Sequence, residues 1–188
     1  MRRTSARMPA RPATPTGSPI TMDPASTPLA LRDITAEDLP WVLESHRDVY
    51  TREYGFDGTF VHAVEAALEA FARQRDPRRD GGWVAWDRAA RVGSILCGRS
   101  DEPDSARIRL FLLAPGHRGQ SLGRQMLEHA LAFAHSSGYR QVKVSTYTAH
   151  TAACALYRRM GFSLQASTPA HAFGRDLVEV HFRRELAG

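Results

Sequence analysis

The stretch Leu110–Leu127, LFLLAPGHRGQSLGRQML, decides how the fold of this chain is predicted. An apolar run leads into a turn of small residues, and an amphipathic helical pattern follows it. Where a buried strand turns into a helix, several backbone N–H groups point the same way without partners, and the helix dipole adds positive charge. The stretch therefore predicts a site for a phosphate-like anion. Gly119 and Gly123 let the anion approach the backbone, and Arg118 and Arg124 add charge.

Two common phosphate-binding loops do not fit this stretch. A P-loop needs GxxxxGK[ST], and no Lys-Ser or Lys-Thr follows here. The dinucleotide fingerprint GxGxxG requires a spacing that Gly116, Gly119 and Gly123 do not provide. Nucleoside triphosphate hydrolysis and dinucleotide binding are therefore disfavoured.

The loop and its surroundings resemble a known family. RGQSLG, Arg118–Gly123, fits R-x-x-G-x-G/A at every position but one, and residues 105–164 match the coenzyme-binding half of the GNAT superfamily in order and spacing. The resemblance covers about residues 29–186. The segments LESHRDVYTREYGF and HAFGRDLVEV are similar to a branch in which the GNAT domain often follows a MarR-type winged-helix regulator domain.

The resemblance implies acetyl-CoA as cosubstrate, with the loop holding the coenzyme pyrophosphate and strand four pairing with the pantetheine arm. Ser121 stands where the family usually has Gly or Ala, but its backbone N–H is still available and its hydroxyl offers a further phosphate contact. His150 stands where many members have Asn, seven residues before the helix-four tyrosine. The expected coenzyme-binding residues are Leu112, Leu113, Arg118, Gly119, Gln120, Ser121, Leu122, Gly123 and His150.

The family places a general acid where Tyr157 stands in ALYRRMGF. Amine attack on a thioester expels a thiolate, and a phenol can give it a proton. A core tyrosine on an apolar helix face is the alternative interpretation. Strand four carries no Glu to serve as a base. The candidates lie in the two segments expected to border the acceptor, residues 46–56 and 171–177: His46, Glu53, Tyr54, His171 and Asp176. His46 has a suitable ordinary pKa, and His46 and Glu53 are the predicted catalytic residues beside Tyr157. Two alternatives stay open: His46 is a surface or core residue without a catalytic role, or water relays the proton in place of a side chain.

The order of strand-like and helical patterns predicts a mixed α/β domain from residue 29 to 188, and the resemblance implies that its fold is of the GNAT type. After the first strand come two helices, a β-meander with a hairpin at 87–90, and then β-α-β-α-β-β. The third helix is predicted from about Gly119 to Ser136, and the sixth strand over 162–167. We expect a mixed, mostly antiparallel sheet flanked by helices and splayed between strands four and five.

Composition excludes several other classes of protein. The chain has 188 residues, 43% hydrophobic and 24% charged, which is typical of one globular domain. No apolar run approaches the roughly 18 residues of a membrane helix. Two cysteines without a CxxC and eight histidines without ligand spacing predict no metal, and the reducing cytoplasm is the expected location.

Residues 1–28 differ in composition from the rest. They hold six of the eleven prolines and account for +3 of the formal charge of +5. Such a segment buries too little apolar surface to offset its ordering entropy, so a disordered N-terminal tail is predicted. A transit peptide, or a true start downstream at Met8 or Met22, are alternatives. Because the remaining chain is close to neutral, nucleic acid is not expected as a partner.

The sequence therefore predicts an N-acetyltransferase that moves an acetyl group from acetyl-CoA to a primary amine by direct attack. The expected partner is an amine-bearing small molecule or peptide, with no nucleic acid and no membrane, and a homodimer is left open. The alternative function is a non-catalytic acyl-CoA-binding sensor or regulatory module.

Overall fold

A computed structural model describes residues 30–186 of the chain. The predicted tail 1–28 therefore lies outside the described residues. Two short 3-10 turns, Ala36–Asp38 and Pro115–His117, precede the first and third α-helices. The helices are α1 Leu39–Tyr54, α2 Gly58–Gln74, α3 Leu122–Ser136 and α4 Thr151–Arg159. The strands are β1 Ala30–Asp33, β2 Gly81–Asp87, β3 Ala90–Arg99, β4 Ser105–Leu113, β5 Gln141–Tyr147, β6 Ser163–Ala172 and β7 Arg175–Glu185.

The strands form a seven-stranded sheet in the order β1-β2-β3-β4-β5-β7-β6. Only β4 and β5 pair in parallel, and every other pair is antiparallel. The parallel pair is short, because Ser105–Ile108 of β4 pairs with Gln141–Val144 of β5 while both strands continue beyond it. The two strands therefore separate and leave a cleft, which confirms the predicted mixed sheet and its splay.

Two apolar cores lie on opposite faces of the sheet. Alternation along β2 shows this directly, because Val84 packs in the core with α1 and α2, whereas Trp83 and Ala85 pack in the core with α3 and α4. On α3 the predicted helical stripe is buried, from Met126 to Ala134. This face needs one apolar residue every three or four positions, which the sequence supplies.

Two element boundaries differ from those predicted. Helix α3 begins at Leu122 and not at Gly119, because Gly119 and Ser121 have φ of +78° and +62°, outside the right-handed helical region. Strand β6 is longer than predicted and pairs with β7 as far as Ala172. The two are joined by a tight hairpin in which Phe173 and Gly174 have φ of 55° and 72°, typical of a type I′ turn.

Asp80 ties the start of β2 to the end of β3, and its loss is expected to destabilise the fold. Its carboxylate is 7% exposed, accepts from the Arg99 N–H at 3.0 Å and pairs with the Arg99 guanidinium at 2.7 Å. Burial would raise the pKa of Asp80, but the hydrogen bonds from Asp76 and Arg99 outweigh it and the pKa is lowered. The stabilisation is therefore present above the ordinary pKa of 3.8 and is lost as pH falls through the folded-state value.

We expect Asp80→Asn to lower the free energy of unfolding at neutral pH by about 2 to 3 kcal/mol, measured by urea denaturation. The control is Asp48→Asn, which removes an exposed pair with Arg52 and should cost less than about 0.5 kcal/mol. Equal costs for the two substitutions would contradict the prediction.

Candidate active site

The cleft between β4 and β5 widens into a cavity of about 690 Å³. Its walls come from α1, β4, the loop before α3, β5 and α4, so separate parts of the chain meet in it. The predicted residues that line it are His46, Leu112, Leu113, Arg118, Gly119, Ser121, Gly123, His150 and Tyr157. Gln120, Leu122 and Glu53 do not line it, although Glu53 contacts Arg118, which does.

The loop before α3 presents a run of free hydrogen-bond donors. Within residues 30–186, the backbone N–H groups from Gly119 to Arg124 have no protein acceptor, whereas the Arg118 N–H bonds to Pro115 O. The first intrahelical bond of α3 runs from the Gln125 N–H to Ser121 O at 3.1 Å. Consecutive free N–H groups at a helix N-terminus form an anion site, so this loop fits the pyrophosphate of a coenzyme A molecule.

The conformation of Ser121 explains why a glycine would suit its position. With φ of 62° and ψ of 4° it lies in the left-handed region, which a side chain disfavours and glycine adopts freely. The Ser121 side chain is exposed and makes no hydrogen bond within the described part of the chain. The departure from the family pattern therefore costs backbone strain but keeps the N–H group in place.

The last residue of β4 points its backbone into the cleft. The Ala114 N–H bonds to Val92 O at 2.8 Å, and the register pairs Leu113 with Gly93. Because neighbouring antiparallel pairs alternate between bonded and non-bonded, the N–H and C=O of Leu113 face away from β3 and toward the splay. Leu113 O accordingly accepts from Arg118 Nε at 3.2 Å. This is the geometry that a pantetheine arm pairing with β4 requires.

Arg118 is held by an acidic residue from the other side of the cleft. Its Nη1 donates to both carboxylate oxygens of Glu53, at 3.0 and 2.7 Å. Glu53 lies near the end of α1, so this pair joins the loop before α3 to α1. The negative charge of the Glu53 carboxylate is thus paired with the Arg118 guanidinium.

Tyr157 lies on α4 with its ring among apolar side chains and its edge at the cavity. The side chain is 3% exposed and packs against Phe111, Phe162 and Phe182. Its hydroxyl forms no hydrogen bond with any described residue, although the residue lines the cleft. Burial raises the pKa of Tyr157 well above its usual range, so the phenol is protonated at neutral pH. A protonated phenol facing the cleft is the state that a general acid needs.

Two histidines in the cavity wall are neutral at pH 7. Burial lowers the pKa of both His46 and His150 to about 4. His46 Nδ1 lies 2.8 Å from Val42 O, which fixes the proton on Nδ1 and leaves Nε2 as an acceptor without a partner among the described residues. His150 Nδ1 lies 2.9 Å from Thr146 Oγ1. Both rings can accept a hydrogen bond in the cleft, but neither holds a proton strongly.

An aromatic cluster borders the acceptor side of the cavity, and sequence reasoning found it only in part. Tyr50 stacks on Phe60 at 4.4 Å between centroids, and Tyr54 meets the His150 ring at 4.4 Å. The hairpin residue Phe173 packs 5.1 Å from Phe60. The sequence predicted that residues 46–56 and the segment 171–177 would border one pocket, and the contact of Phe173 with Phe60 agrees with this, but the individual ring contacts could not be assigned from the sequence.

Residues 30–186 contain neither a cluster of metal-ligating side chains nor a helix suited to cross a membrane. No group of three or more potential metal-ligating side chains comes together in this part of the chain. Among the described helices, none has the length and apolar character needed to cross a bilayer.

The sequence model of the acetyltransferase (GNAT) family matches residues 31–162. The chain therefore belongs to this family. It is similar to human N-acetyltransferase 8B, with 32% identity over 106 residues that make up 53% of this chain and 47% of the human protein. Rat N-acetyltransferase 8B is 37% identical over 89 residues, 45% of this chain and 40% of the rat protein. The chain thus spans about half or less of the length of these curated relatives.

Solved structures share the fold at low sequence identity. A ribosomal-protein-alanine N-acetyltransferase from Brucella melitensis aligns with a TM-score of 0.66 and 22% identity, over 84% of this chain and 99% of that one. The yncA protein from Salmonella typhimurium, solved with its cofactor acetyl-CoA, aligns with a TM-score of 0.70 and 19% identity, over 85% and 94% of the two chains. Together with the sheet topology, these matches establish the GNAT fold.

Proposed function

We propose that this protein transfers an acetyl group from acetyl-CoA to a primary amine. The observation that carries the proposal is that one cavity joins three features: free N–H donors before α3, the inward-facing backbone of Leu113, and the Tyr157 side chain. The N–H donors fit the pyrophosphate of the coenzyme, and the Leu113 backbone fits its amide-bearing arm. The Tyr157 hydroxyl fits the protonation of a thiolate leaving group. The relatives named N-acetyltransferases, which share up to 37% identity with parts of this chain, support the same reaction.

In this reaction both substrates meet in the cleft, and their orientation supplies much of the rate. The N–H groups from Gly119 to Gly123 hold the pyrophosphate, with Gln120 and Leu122 contributing through the backbone alone. The amine attacks the thioester carbonyl, and the inward-facing Leu113 N–H is suited to stabilise the charge that develops on its oxygen. The C–S bond breaks, and Tyr157 gives its proton to the departing thiolate. Within this proposal, His150 lies beside the thioester end of the bound acetyl-CoA.

The base that deprotonates the amine belongs to the acceptor side. His46 and Glu53 are the predicted candidates, but His46 Nε2 is a buried atom without a partner among the described residues, and the Glu53 carboxylate is paired with Arg118. The aromatic cluster of Tyr50, Tyr54 and Phe60 favours an acceptor with an apolar body, such as a small arylalkylamine or a peptide with an apolar N-terminal residue. A homodimer stays a prediction.

The proposal is tested by calorimetry with acetyl-CoA and by thiol release over an amine panel. We expect micromolar to millimolar acetyl-CoA binding, and thiol release that depends on an added amine such as 2-phenylethylamine, phenylalanine amide, spermidine or a short peptide. Mass spectrometry of the amide product is the direct confirmation. Absence of coenzyme binding would contradict both the assignment of the loop before α3 as the pyrophosphate site and the proposed reaction.

The second candidate function is a non-catalytic acyl-CoA sensor. It rests on the resemblance, inferred from the sequence, of two segments to GNAT domains that follow MarR-type regulators. Coenzyme binding without thiol release from any amine in the panel would support the sensor and contradict the enzyme.

A further inference from the structure

Both predicted base candidates are poorly placed to take a proton from an amine in the cavity. His46 is 2% exposed, and its pKa is lowered to about 4 by burial. The carboxylate of Glu53 is paired with Arg118 and does not line the main cavity. Alkylamines are protonated at neutral pH, so a reaction by direct attack needs a group that removes this proton and passes it on.

A serine and a histidine on adjacent strands form such a path. Ser145 lines the cavity, one residue past the last β4–β5 pair at Val144. Its register partner on β7 is His181, and Ser145 Oγ lies 2.8 Å from His181 Nδ1. Side chains at 143, 145 and 147 alternate with the buried Val142, Val144 and Thr146, so Ser145 faces away from the α3–α4 core.

An acidic side chain lies beside the outer edge of the His181 ring. The Glu179 carboxylate is 3.9 Å from His181 Nε2, so its charge favours a proton on that side of the ring, and a proton on Nε2 would leave Nδ1 to accept from the Ser145 hydroxyl. The His181 side chain is 42% exposed, so its outer edge is in contact with water.

The charged and titratable groups beside His181 lie on β5 and β7 or pair with residues of these strands. On the same face of β5 lie Lys143, paired with Glu102, and Tyr147; on β7 lie Glu179 and Arg183, the latter paired with Glu185. On β6, Ala166 is opposite His181 and contributes no charge.

We propose that Ser145 and His181 form the proton-accepting route for the acceptor amine, an inference that rests on the proposed acetyl transfer. The ammonium gives a proton to Ser145 Oγ while the Ser145 hydroxyl proton moves to His181 Nδ1. The imidazolium so formed is stabilised by Glu179 and releases its Nε2 proton to water, and proton exchange with water at the exposed ring then restores the Nε2–H tautomer for the next turnover. The neutral amine then attacks the thioester. Ser145 contacts the substrate, and His181 is a positioning residue that acts through it.

The route predicts which acceptors depend on it. An alkylamine such as 2-phenylethylamine is protonated at about pH 7 and needs the route, whereas hydroxylamine is largely neutral there and does not. We expect Ser145→Ala and His181→Asn to lower kcat/KM for 2-phenylethylamine by about 100-fold at about pH 7. The loss should shrink as pH rises toward the pKa of the amine, and the rates with hydroxylamine should stay close to those of the unsubstituted protein.

The matched control is His62→Asn, an 81% exposed histidine on α2 that should leave every rate unchanged. Calorimetry should give the same acetyl-CoA affinity for all variants, since neither Ser145 nor His181 belongs to the coenzyme loop. If 2-phenylethylamine is not the best acceptor of the panel, the fastest protonated alkylamine replaces it. Unchanged pH profiles of the two variants, with an active unsubstituted protein, would overturn this inference alone. If the unsubstituted protein released no thiol with any amine of the panel, the proposed acetyl transfer itself would be overturned.

A measurement that does not depend on activity tests the proposal even if the variants fail to fold. Nitrogen NMR of the histidine rings in the unsubstituted protein should show His181 protonated on Nε2 and unprotonated on Nδ1. The opposite tautomer would mean that His181 donates to Ser145, and the route would be excluded.

Discussion

Gly123→Glu is expected to abolish coenzyme binding while leaving the fold intact. Gly123 has an ordinary φ, and a Cβ placed there would meet nothing closer than Leu156 Cδ2 at 3.5 Å, so a side chain can be accommodated. An acidic residue in the first turn of a helix interacts favourably with its dipole, so α3 should not be weakened. The same carboxylate would lie where the pyrophosphate binds and repel it. We expect the Kd for acetyl-CoA to rise by at least about 100-fold, close to 2.7 kcal/mol.

Two controls separate charge from size. Gly123→Gln adds the same bulk without the charge and should weaken binding much less than Gly123→Glu. Gly58→Glu puts the same charge at the start of α2, where a Cβ meets nothing within 4 Å, and should leave binding unchanged. Calorimetry and thermal denaturation give the two readouts. Tight acetyl-CoA binding by Gly123→Glu would show that the loop before α3 is not the phosphate site. Gly119 is less suitable for this test, because its φ of +78° adds backbone strain to any substitution.

Tyr157→Phe is expected to lower kcat by about ten-fold or more with little change in acetyl-CoA affinity. The substitution keeps the ring that packs against Phe111, Phe162 and Phe182 and removes only the hydroxyl. Because that hydroxyl bonds to no described residue, the melting temperature should hardly change. The thiolate must then take its proton from water, which slows the expulsion step. Thiol release at saturating substrates, beside calorimetry, measures both quantities.

Tyr139→Phe is the matched control for Tyr157→Phe. Tyr139 is also 3% exposed, but its hydroxyl donates to Arg79 O at 2.9 Å, far from the cleft. Its loss should lower stability by about 1 kcal/mol and leave kcat unchanged. If Tyr157→Phe behaved like this control, with unchanged turnover, Tyr157 would be a packing residue and the acid would have to be sought elsewhere.

The sequence by itself determined the element order, the buried stripe of α3 and the position of the phosphate loop, whereas the splayed mixed sheet was expected from the family resemblance. The first three features depend on local information. Apolar residues at helical or alternating spacing specify helices and strands, and a run of small residues between a strand and a helix specifies an anion site. Met126 to Ala134 and Arg118 to Gly123 could therefore be assigned without any contact between distant residues.

Only the tertiary structure decided what these elements bring together. Ser145 and His181 are 36 residues apart and meet because β5 and β7 pair in one register, and a shift by one residue would turn them to opposite faces. Glu53 reaches Arg118 across 65 residues, which no local pattern encodes. The pKa of His46 follows from its burial between helix and sheet, so its ordinary value could not show that it is a weak base here. Pairing register and burial are properties of the whole fold, and they determine how the acceptor side of the cleft is built.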